Sequence, residues 1–438
     1  MASLGEFNPA AVNGQLSAYP VSIIDQQQYD AGQIEARVTQ YLDTTGLDFN
    51  RKVVMLKPSF VLPSGAEDMT LATNTRNRVI VGVARSLLNK GAKRILIAEH
   101  HTVGSARFSF AMVHIKAAIK GIKGVEPCYL DEVPMVKAPV EEPFIPGYDI
   151  KFPRMLLDGT VDYLVTLPKL KTNSFAQVSL SIKNSFGLIS KEDRLKYHGA
   201  DLDKHLASLY LVRRPDLAIV DAIVAGEGQG PQQTTPVNTG VLVAGTNCVA
   251  VDAVCCYLMG LDPATVPHVQ LLHDRGLGPV SLDDISLHNK TIFDSRRRNF
   301  VAPDLNLSTS PRFRVFQGKD ICRGGCLAML RSILDSYGLV DGWDSLGNMN
   351  FIVGKGVDAP ENELGNLKKG KTIVFGDCAE HYKDRGIFIK GCPPEYLRTA
   401  IVLALKARLG RSKVEKTASI KTLLWTTFRH AFNRVFRI

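Results

Sequence analysis

Four lysines lie at or just beyond the end of an apolar run, and they are Lys57, Lys169, Lys171 and Lys183. Lysine is a strongly hydrated cation that is rarely placed beside a buried strand without a partner. If these runs are neighbouring strands, the ammonium groups converge into a pocket for a carboxylate or phosphate, or tune one lysine as a base. The alternative is that each lysine only ends its strand in solvent. We predict that Lys171 and Lys183 are catalytic and that Lys57 and Lys169 bind substrate.

Other polar residues follow the same runs. Asn184 can both donate and accept hydrogen bonds, which suits the orientation of a substrate amide or carboxylate, and Asn173 is placed with it among the substrate-binding residues. His198 is a candidate acid or base near neutral pH, with an ordinary loop histidine as the alternative. Asp221 ends a further apolar run, where a carboxylate can bind magnesium, act as a base or pair with the lysines. We predict that His198 and Asp221 are catalytic.

A glycine-rich segment, Gly226-Glu-Gly-Gln-Gly-Pro231, follows Asp221. Its glycines are spaced by one residue, and Pro231 would break the helix that a dinucleotide fingerprint requires at this point. We therefore predict a tight turn that lets the backbone approach a ligand. Its predicted substrate-binding residues are Glu227, Gly228 and Gly230.

The eight cysteines fall into two groups. Four lie in apolar runs and are predicted to be small core residues: Cys128, Cys248, Cys255 and Cys256. The other four are Cys322, Cys326, Cys378 and Cys392, and two of these are flanked by glycine or proline turns. Four thiolates suit a [4Fe–4S] cluster or a tetrahedral zinc ion, and reduced structural thiols are the third reading.

The strands and helices that must position these residues indicate an α/β fold. Residues 52–57 and 94–99 predict strands, and the apolar residues between 79 and 88 recur at helical spacing, which indicates parallel strands joined by a crossover helix. We predict a mainly parallel sheet flanked by helices and a smaller C-terminal cysteine-bearing α/β segment. The predicted divisions are an N-terminal lead-in and helix (1–50), an α/β core domain (51–300), a four-cysteine segment (311–410) and a basic amphipathic tail (411–438).

The net charge of +10 on 438 residues is concentrated at one end. The tail from Arg411 carries seven Lys or Arg residues and one acidic residue, Glu415, so the rest of the chain is nearly balanced. The pattern is not that of a nucleic-acid-binding surface, and we predict no nucleic-acid partner. The apolar face of the tail can lie on an anionic membrane or dock on protein. Without a signal pattern or a long apolar run, we predict a cytoplasmic protein, with peripheral membrane contact and docking on protein as two equal alternatives for the tail.

The ordered set of motifs resembles the domain of unknown function 362 family over roughly residues 50 to 280. The motifs include Lys57-Pro58, Pro168-Lys-Leu-Lys-Thr172, Ser181-Ile-Lys-Asn-Ser-Phe-Gly187, His198, Asp221 and Glu227-Gly-Gln-Gly-Pro231. The family pattern more often has Asn where this chain has Ser59 and His where it has Asn173. The resemblance implies an association with iron–sulfur centres, and the segments around Cys378 and Cys392 also resemble the end of some members.

These patterns predict an iron–sulfur oxidoreductase in which the four cysteines hold a [4Fe–4S] cluster and the lysines bind a small anionic organic substrate. An electron-transfer partner is then implied. The first alternative is a non-redox lyase, isomerase or transferase with the same lysine-rich pocket and with zinc or no metal. The second is a membrane-surface scaffold that uses the basic tail.

Overall fold

A computed structural model describes residues 19–61, 70–100, 105–341 and 346–408. The strands in chain order are β1 (Pro20–Asp25), β2 (Val53–Pro58), β3 (Arg94–Glu99), β4 (Val125–Tyr129), β5 (Met135–Lys137), β6 (Lys151–Pro153), β7 (Tyr163–Leu167), β8 (Lys169–Asn173), β9 (Gln177–Ser179), β10 (Leu217–Gln229), β11 (Gln233–Gly245), β12 (Ser286–His288), β13 (Phe313–Asp320), β14 (Met349–Val353), β15 (Lys355–Val357), β16 (Thr372–Phe375) and β17 (Ile387–Ile389). The predicted basic tail lies outside the described residues.

The helices in chain order are α1 (Ala31–Leu42), α2 (Asn77–Asn89), α3 (Ala106–Met112), α4 (Ile115–Ala118), α5 (Ser181–Asn184), α6 (Lys191–Lys196), α7 (Leu202–Val212), α8 (Cys248–Leu258), α9 (Pro267–Asp274), α10 (Lys290–Arg296), α11 (Ala328–Asp341), α12 (Glu361–Gly365) and α13 (Tyr396–Arg408). No helix within the described ranges is both long enough and apolar enough to cross a membrane.

The larger sheet has ten strands in the order β12-β1-β11-β10-β7-β2-β3-β4, with β8 pairing to β10 and β9 pairing to β8. Strands β2, β3, β4, β7 and β10 run parallel, as the sequence predicted. Side chains alternate between the faces of the sheet, so Ala218 and Val220 of β10 enter one core while Ile219 and Ile223 enter another. Helices therefore cover both faces, and the predicted fold class is confirmed.

The start of the described chain differs from the predicted lead-in. Strand β1 joins the large sheet between β11 and β12, and it pairs antiparallel with β11. The helix predicted near residues 29–45 is present as α1, where the Asp30 side chain accepts a hydrogen bond from Gln33 N. The N-terminal segment is thus part of the α/β core.

A second sheet carries the C-terminal part of the described chain in the order β15-β13-β14-β16-β17. The pairs β13/β14, β14/β16 and β16/β17 are parallel, and β15 is antiparallel to β13. The carboxyl ends of β13, β16 and β17 consequently lie along one edge of this sheet. The cysteine-bearing α/β segment predicted from the sequence is present.

Candidate functional site

The carboxyl ends of β2 and β3 meet at a buried ion pair. Lys57 Nζ lies 2.8 Å from Glu99 Oε2, and it also donates to the Pro58 carbonyl at 2.6 Å and to Asn184 Oδ1 at 3.3 Å. Lys57 is 1% exposed and Glu99 4% exposed. Burial lowers the pKa of Lys57, and the Glu99 carboxylate opposes that shift. All three ammonium hydrogens have partners, so this lysine has none left for a substrate anion.

A second ion pair joins β8 to β10. Their register sets Asp221 beside Lys169, and Lys169 Nζ lies 3.0 Å from Asp221 Oδ2 with both side chains fully buried. The hydroxyl of Tyr29 accepts from Lys169 at 2.7 Å and donates to Asp221 Oδ1 at 3.0 Å. Backbone Arg76 N donates to the same carboxylate at 3.1 Å. The predicted catalytic Asp221 is therefore engaged in a closed polar cluster.

Lys171 differs from its neighbour Lys169 although both are completely buried. Its ammonium donates to the Thr73 carbonyl, and no carboxylate among the described residues contacts it. Burial lowers its pKa well below the usual lysine value, and the nearby charges of Lys169, Lys183 and Lys57 add to that shift. The charges of the other three lysines therefore act on Lys171.

Lys183 lies on the short helix α5, whose first backbone N–H groups are fixed by a buried carboxylate. Asp252 accepts from Ser181 N at 2.8 Å and from Ile182 N at 2.9 Å. The Lys183 side chain is half-buried, and its ammonium lies 4.6 Å from the centroid of the Phe186 ring without an ion-pair or hydrogen-bond partner among the described residues. Burial lowers the pKa of Lys183 to about 8. At neutral pH this lysine is mainly a cation available to an anion.

His198 has a neutral imidazole at pH 7. Burial lowers its pKa to about 3, and Lys183 contributes to the shift, while a hydrogen bond with the backbone of Gly324 opposes it. Its ring packs edge-on against Phe175, and its Nδ1 atom is buried without a hydrogen-bond partner among the described atoms. The acid role predicted near neutral pH does not match this environment, because the imidazolium is strongly disfavoured.

The remaining predicted substrate-binding residues contact protein. Asn173 Oδ1 accepts from Phe175 N and Ala176 N, both at 3.0 Å. Asn184 Nδ2 donates to the Lys57 carbonyl and to Thr166 Oγ1, both at 2.8 Å. Both asparagine side chains therefore fix the chain around the lysines.

The glycine-rich segment is not the isolated turn that the sequence predicted. Strand β10 continues to Gln229 and pairs with β11 in a long hairpin. Glu227 accepts from Val301 N at 3.0 Å, and Gly228 N donates to Val301 O at 2.8 Å. A Cβ atom on Gly230 would lie 1.9 Å from the Thr172 carbonyl oxygen. The close approach that requires glycine is to the protein backbone.

The four predicted ligand cysteines lie at the carboxyl ends of three parallel strands. Cys322 and Cys326 follow β13, Cys378 follows β16 and Cys392 follows β17. Burial raises the pKa of Cys326, and the thiols of Cys322, Cys392 and Cys378 add to the rise, so the four sulfur atoms are within range of one another's charge. Cys326 is buried and Cys322 half-buried, whereas Cys378 and Cys392 are exposed.

Glycines surround these sulfur atoms. A Cβ on Gly376 would lie 2.5 Å from Cys326 Sγ, and one on Gly325 would lie 2.6 Å from Cys322 Sγ. Asp377 ties two of the cysteine segments together, since its Oδ1 accepts from Gly391 N at 2.8 Å. Four thiols with open backbone around them fit an iron–sulfur cluster. Within the described residues no three His, Cys, Asp or Glu side chains already have the geometry to hold a metal ion, so the thiols would have to close around it.

Comparison with known proteins assigns one part of the chain to a family. Residues 54–257 match the family model described as a domain of unknown function, DUF362. That part of the chain is a DUF362 domain. A thylakoid-associated protein of Synechocystis sp. is 27% identical over 284 residues, which covers 60% of this chain and 81% of that protein. A crystal structure of a Thermotoga maritima protein covers 88% of this chain and 84% of its own at 10% identity, with a TM-score of 0.36.

The DUF362 domain contacts the cysteine segment through its His198–Gly199 loop. A Cβ on Gly199 would lie 3.6 Å from Cys392 Sγ, and one on Gly324 would lie 2.6 Å from the Gly199 carbonyl oxygen. Arg323 Nε donates to the Ser174 carbonyl at 3.1 Å, which adds a second contact. The lysine-rich strand ends and the four thiols are therefore two parts of one region.

Several residues of this region escaped the sequence analysis. Glu99 is the last residue of a predicted strand, and this position could have identified it as a candidate site residue. Tyr29 and His205 gave no such signal, because they come from the N-terminal segment and from inside a helix. Phe186 was visible only as part of the motif that ends at Gly187. Each acquires its contacts through the tertiary fold.

Proposed function

We propose that the chain is an iron–sulfur-cluster-binding protein, and an oxidoreductase that acts on a small anionic organic substrate. One observation carries the proposal: four cysteines follow three parallel strand ends, and the thiols of three of them act on the pKa of the fourth, Cys326. The four are Cys322, Cys326, Cys378 and Cys392. Four thiolates are the common ligand set of a [4Fe–4S] cluster. The glycines against two of the sulfur atoms support it, since a larger residue would fill the space around the thiols.

Different residues of the chain would have different roles in this reaction. A bound cluster would supply one-electron transfer. Lys183 has a free, half-buried ammonium that would bind the anion. His198 lies between Lys183 and the cysteine-bearing turn, with a ring that hydrogen-bonds the backbone of Gly324. Two exposed thiols, Cys378 and Cys392, mark the side from which an electron-transfer partner would approach.

The alternative is a non-redox lyase, isomerase or transferase, with zinc or no metal. Lys171 favours this alternative, because its fully buried amine contacts no described carboxylate and burial lowers its pKa well below the usual lysine value, which suits a base or nucleophile. The two functions share the lysine site and differ in what the cysteines hold. Metal and sulfide content therefore separates them.

The test is anaerobic purification of the full chain, with iron, zinc and acid-labile sulfide measured per chain. We expect about four iron and about four sulfide. The variants Cys322→Ser and Cys392→Ser should lose both, whereas Cys128→Ala, which removes a buried thiol of the DUF362 domain, should retain them. Zinc without sulfide would support the zinc alternative, and absence of all three would leave only lysine-based chemistry.

We further propose that the protein associates peripherally with membranes, because the similar Synechocystis protein is described as thylakoid-associated. The basic tail, residues 411–438, would supply the contact through its cationic and apolar side chains. The full chain should bind vesicles that contain anionic lipid and release them at high salt. A chain cut before Arg411 should not bind, and undiminished binding would exclude the tail as the contact.

A further inference from the structure

Three nitrogen groups with unused hydrogen-bonding capacity surround the ring of Phe186. The Lys183 ammonium lies 4.6 Å from the ring centroid, and the imidazoles of His198 and His205 have their centroids 5.9 Å and 5.5 Å from it. His205 is completely buried, and its Nε2 atom has no hydrogen-bond partner among the described atoms. His198 Nδ1 is also buried and also has no hydrogen-bond partner among the described atoms. A buried polar atom left without a partner loses its hydration and gains no bond in return.

The other ring nitrogen of each histidine fixes which hydrogen bond is available. Tyr148 OH lies 2.7 Å from His205 Nδ1 and 3.4 Å from the His205 carbonyl, so we assign its proton to the closer nitrogen. A neutral His205 then carries its own hydrogen on Nε2 and is a donor there. The hydrogen bond between His198 and the Gly324 backbone raises the pKa of His198. A bond has this effect when the ring N–H donates to a carbonyl, so His198 is the donor. Neutral His198 therefore has a bare lone pair on Nδ1.

These three groups offer two donors and one acceptor. Lys183 and His205 can donate to one anionic group, and His198 can accept from a hydroxyl beside it. A carboxylate with a neighbouring hydroxyl has this complementary pattern, and the phosphoryl group of a phosphate monoester dianion lacks the hydrogen that His198 requires. Lys183 adds a positive charge that no described carboxylate neutralises by direct contact.

We propose that Lys183, His198 and His205 form a subsite for a small hydroxy acid, and that the ring of Phe186 covers this subsite when no ligand is bound. The carboxylate binds to Lys183 and His205, and its hydroxyl donates to His198 Nδ1. Phe186 is half-buried, whereas His205 is fully buried, so a ligand reaches the histidine only when the ring turns aside. This inference deepens the proposed function, because it names the class of the anionic substrate and adds His205 and Phe186 to the site.

The experiment uses three probes that differ in one group each: glycolate, acetate, which lacks the hydroxyl, and glycolamide, which lacks the charge. Binding to the full chain at pH 7 is measured by titration calorimetry. Glycolate should bind at least about tenfold more tightly than glycolamide, which corresponds to one hydrogen bond to a charged group, and about fivefold more tightly than acetate, which corresponds to one hydrogen bond to the neutral imidazole. Equal binding of all three probes would contradict the proposal.

The variants assign each preference to its residue. Lys183→Met should abolish the preference for glycolate over glycolamide, and His198→Phe should abolish that for glycolate over acetate. Phe186→Ala should bind glycolate more tightly than the natural chain, because the covering ring is gone. Lys191→Met is the matched control, since Lys191 is a surface lysine of the same region that pairs with Glu395 at 2.9 Å, and it should bind like the natural chain.

Absence of saturable glycolate binding in both the natural chain and Phe186→Ala would overturn the inference. Unchanged selectivity in Lys183→Met would also overturn it. Iron and sulfide measured on the same preparations keep this result distinct from the redox proposal. Glycolate binding without iron would support the subsite and contradict the cluster proposal. Iron without glycolate binding would support the cluster and contradict the subsite.

Discussion

The imidazole of His198 hydrogen-bonds the backbone of Gly324, and this bond joins the DUF362 domain to the turn between Cys322 and Cys326. The backbones are in close contact there, since a Cβ on Gly324 would lie 2.6 Å from Gly199 O and 2.9 Å from Leu202 Cβ. A change in the cysteine-bearing turn is therefore transmitted directly to the loop that holds His198. The two halves of the candidate site should respond to each other's ligands.

The space around the thiols predicts the outcome of a single methyl substitution. Gly325→Ala would put a Cβ atom 2.6 Å from Cys322 Sγ and 3.0 Å from Gly199 Cα, so the turn must shift. We expect a clear loss of iron and sulfide and about 1–3 kcal/mol of destabilisation from overpacking. The control is Gly370→Ala in the same segment, where an added Cβ meets no atom within 4 Å. Equal iron in both variants would mean that the glycine does not shape a cluster site.

The sequence predicted which strand ends matter, because an apolar run that stops at a lysine or a cysteine is visible in one dimension. It could not predict the partners. Lys57 meets Glu99, which lies on another strand 42 residues away, and Lys169 meets Tyr29 from a segment 140 residues earlier. Such pairs are decided by strand order and register, which the spacing of one run does not encode. The sequence therefore singled out the lysines, while their partners and their burial depend on the tertiary fold, and their predicted roles stay predictions.

The burial of each side chain was the second property that the sequence could not predict. His198 precedes a glycine in the sequence, a position typical of a loop histidine that ionises near neutral pH. The fold instead sets it against two aromatic rings and beside Lys183. The pKa of a histidine depends on this environment, so the residue could be chosen from the sequence but its protonation state could not.

Acid should destabilise the protein through its buried histidines. Burial lowers the pKa of both His198 and His205 to about 3, whereas an unfolded histidine titrates near about 6.5. Between these values the unfolded chain binds more protons, so stability is lost as the pH falls through this window. Each histidine contributes up to about 1.4 kcal/mol per pH unit. Asp252, whose pKa is raised by burial to about 6, acts in the opposite direction and reduces the total.

Urea unfolding at pH 6.5 and pH 5 measures this effect. The variant His205→Phe should lose less stability between the two pH values than the natural chain, by up to about 2 kcal/mol. His288→Gln, which replaces an exposed histidine at the end of β12, should keep the full dependence. The same dependence in His205→Phe would show that this histidine does not titrate as its burial requires.

The amine of Lys183 should become reactive within a pH range that burial defines. Because burial lowers its pKa to about 8, half of this lysine is unprotonated near that pH. Brief acylation followed by peptide mass spectrometry should give a labelling rate at Lys183 that rises between pH 7 and pH 9 and then levels off. A rate that is still rising above pH 10 would mean that the ammonium is not desolvated.

Lys169 and Lys171 form the sharpest comparison that the chain offers. They are two residues apart on β8, so their side chains share one face of the strand, and both are completely buried. Lys169 neutralises Asp221, which is itself fully buried, whereas the hydrogen-bond partner of Lys171 among the described residues is the Thr73 carbonyl. Lys169→Met should cost about 3–5 kcal/mol, because it leaves a buried carboxylate without its cation.

Lys171→Met should instead leave the free energy of unfolding at pH 7 within about 1 kcal/mol or raise it, because it removes a buried amine that no described carboxylate contacts directly. Urea unfolding of both variants measures the contrast. This result would show that Lys171 does not stabilise the fold, and it would leave its amine available for substrate binding or proton transfer. A loss in Lys171→Met equal to that in Lys169→Met would make both lysines structural, and Lys183 would remain as the cation of the site.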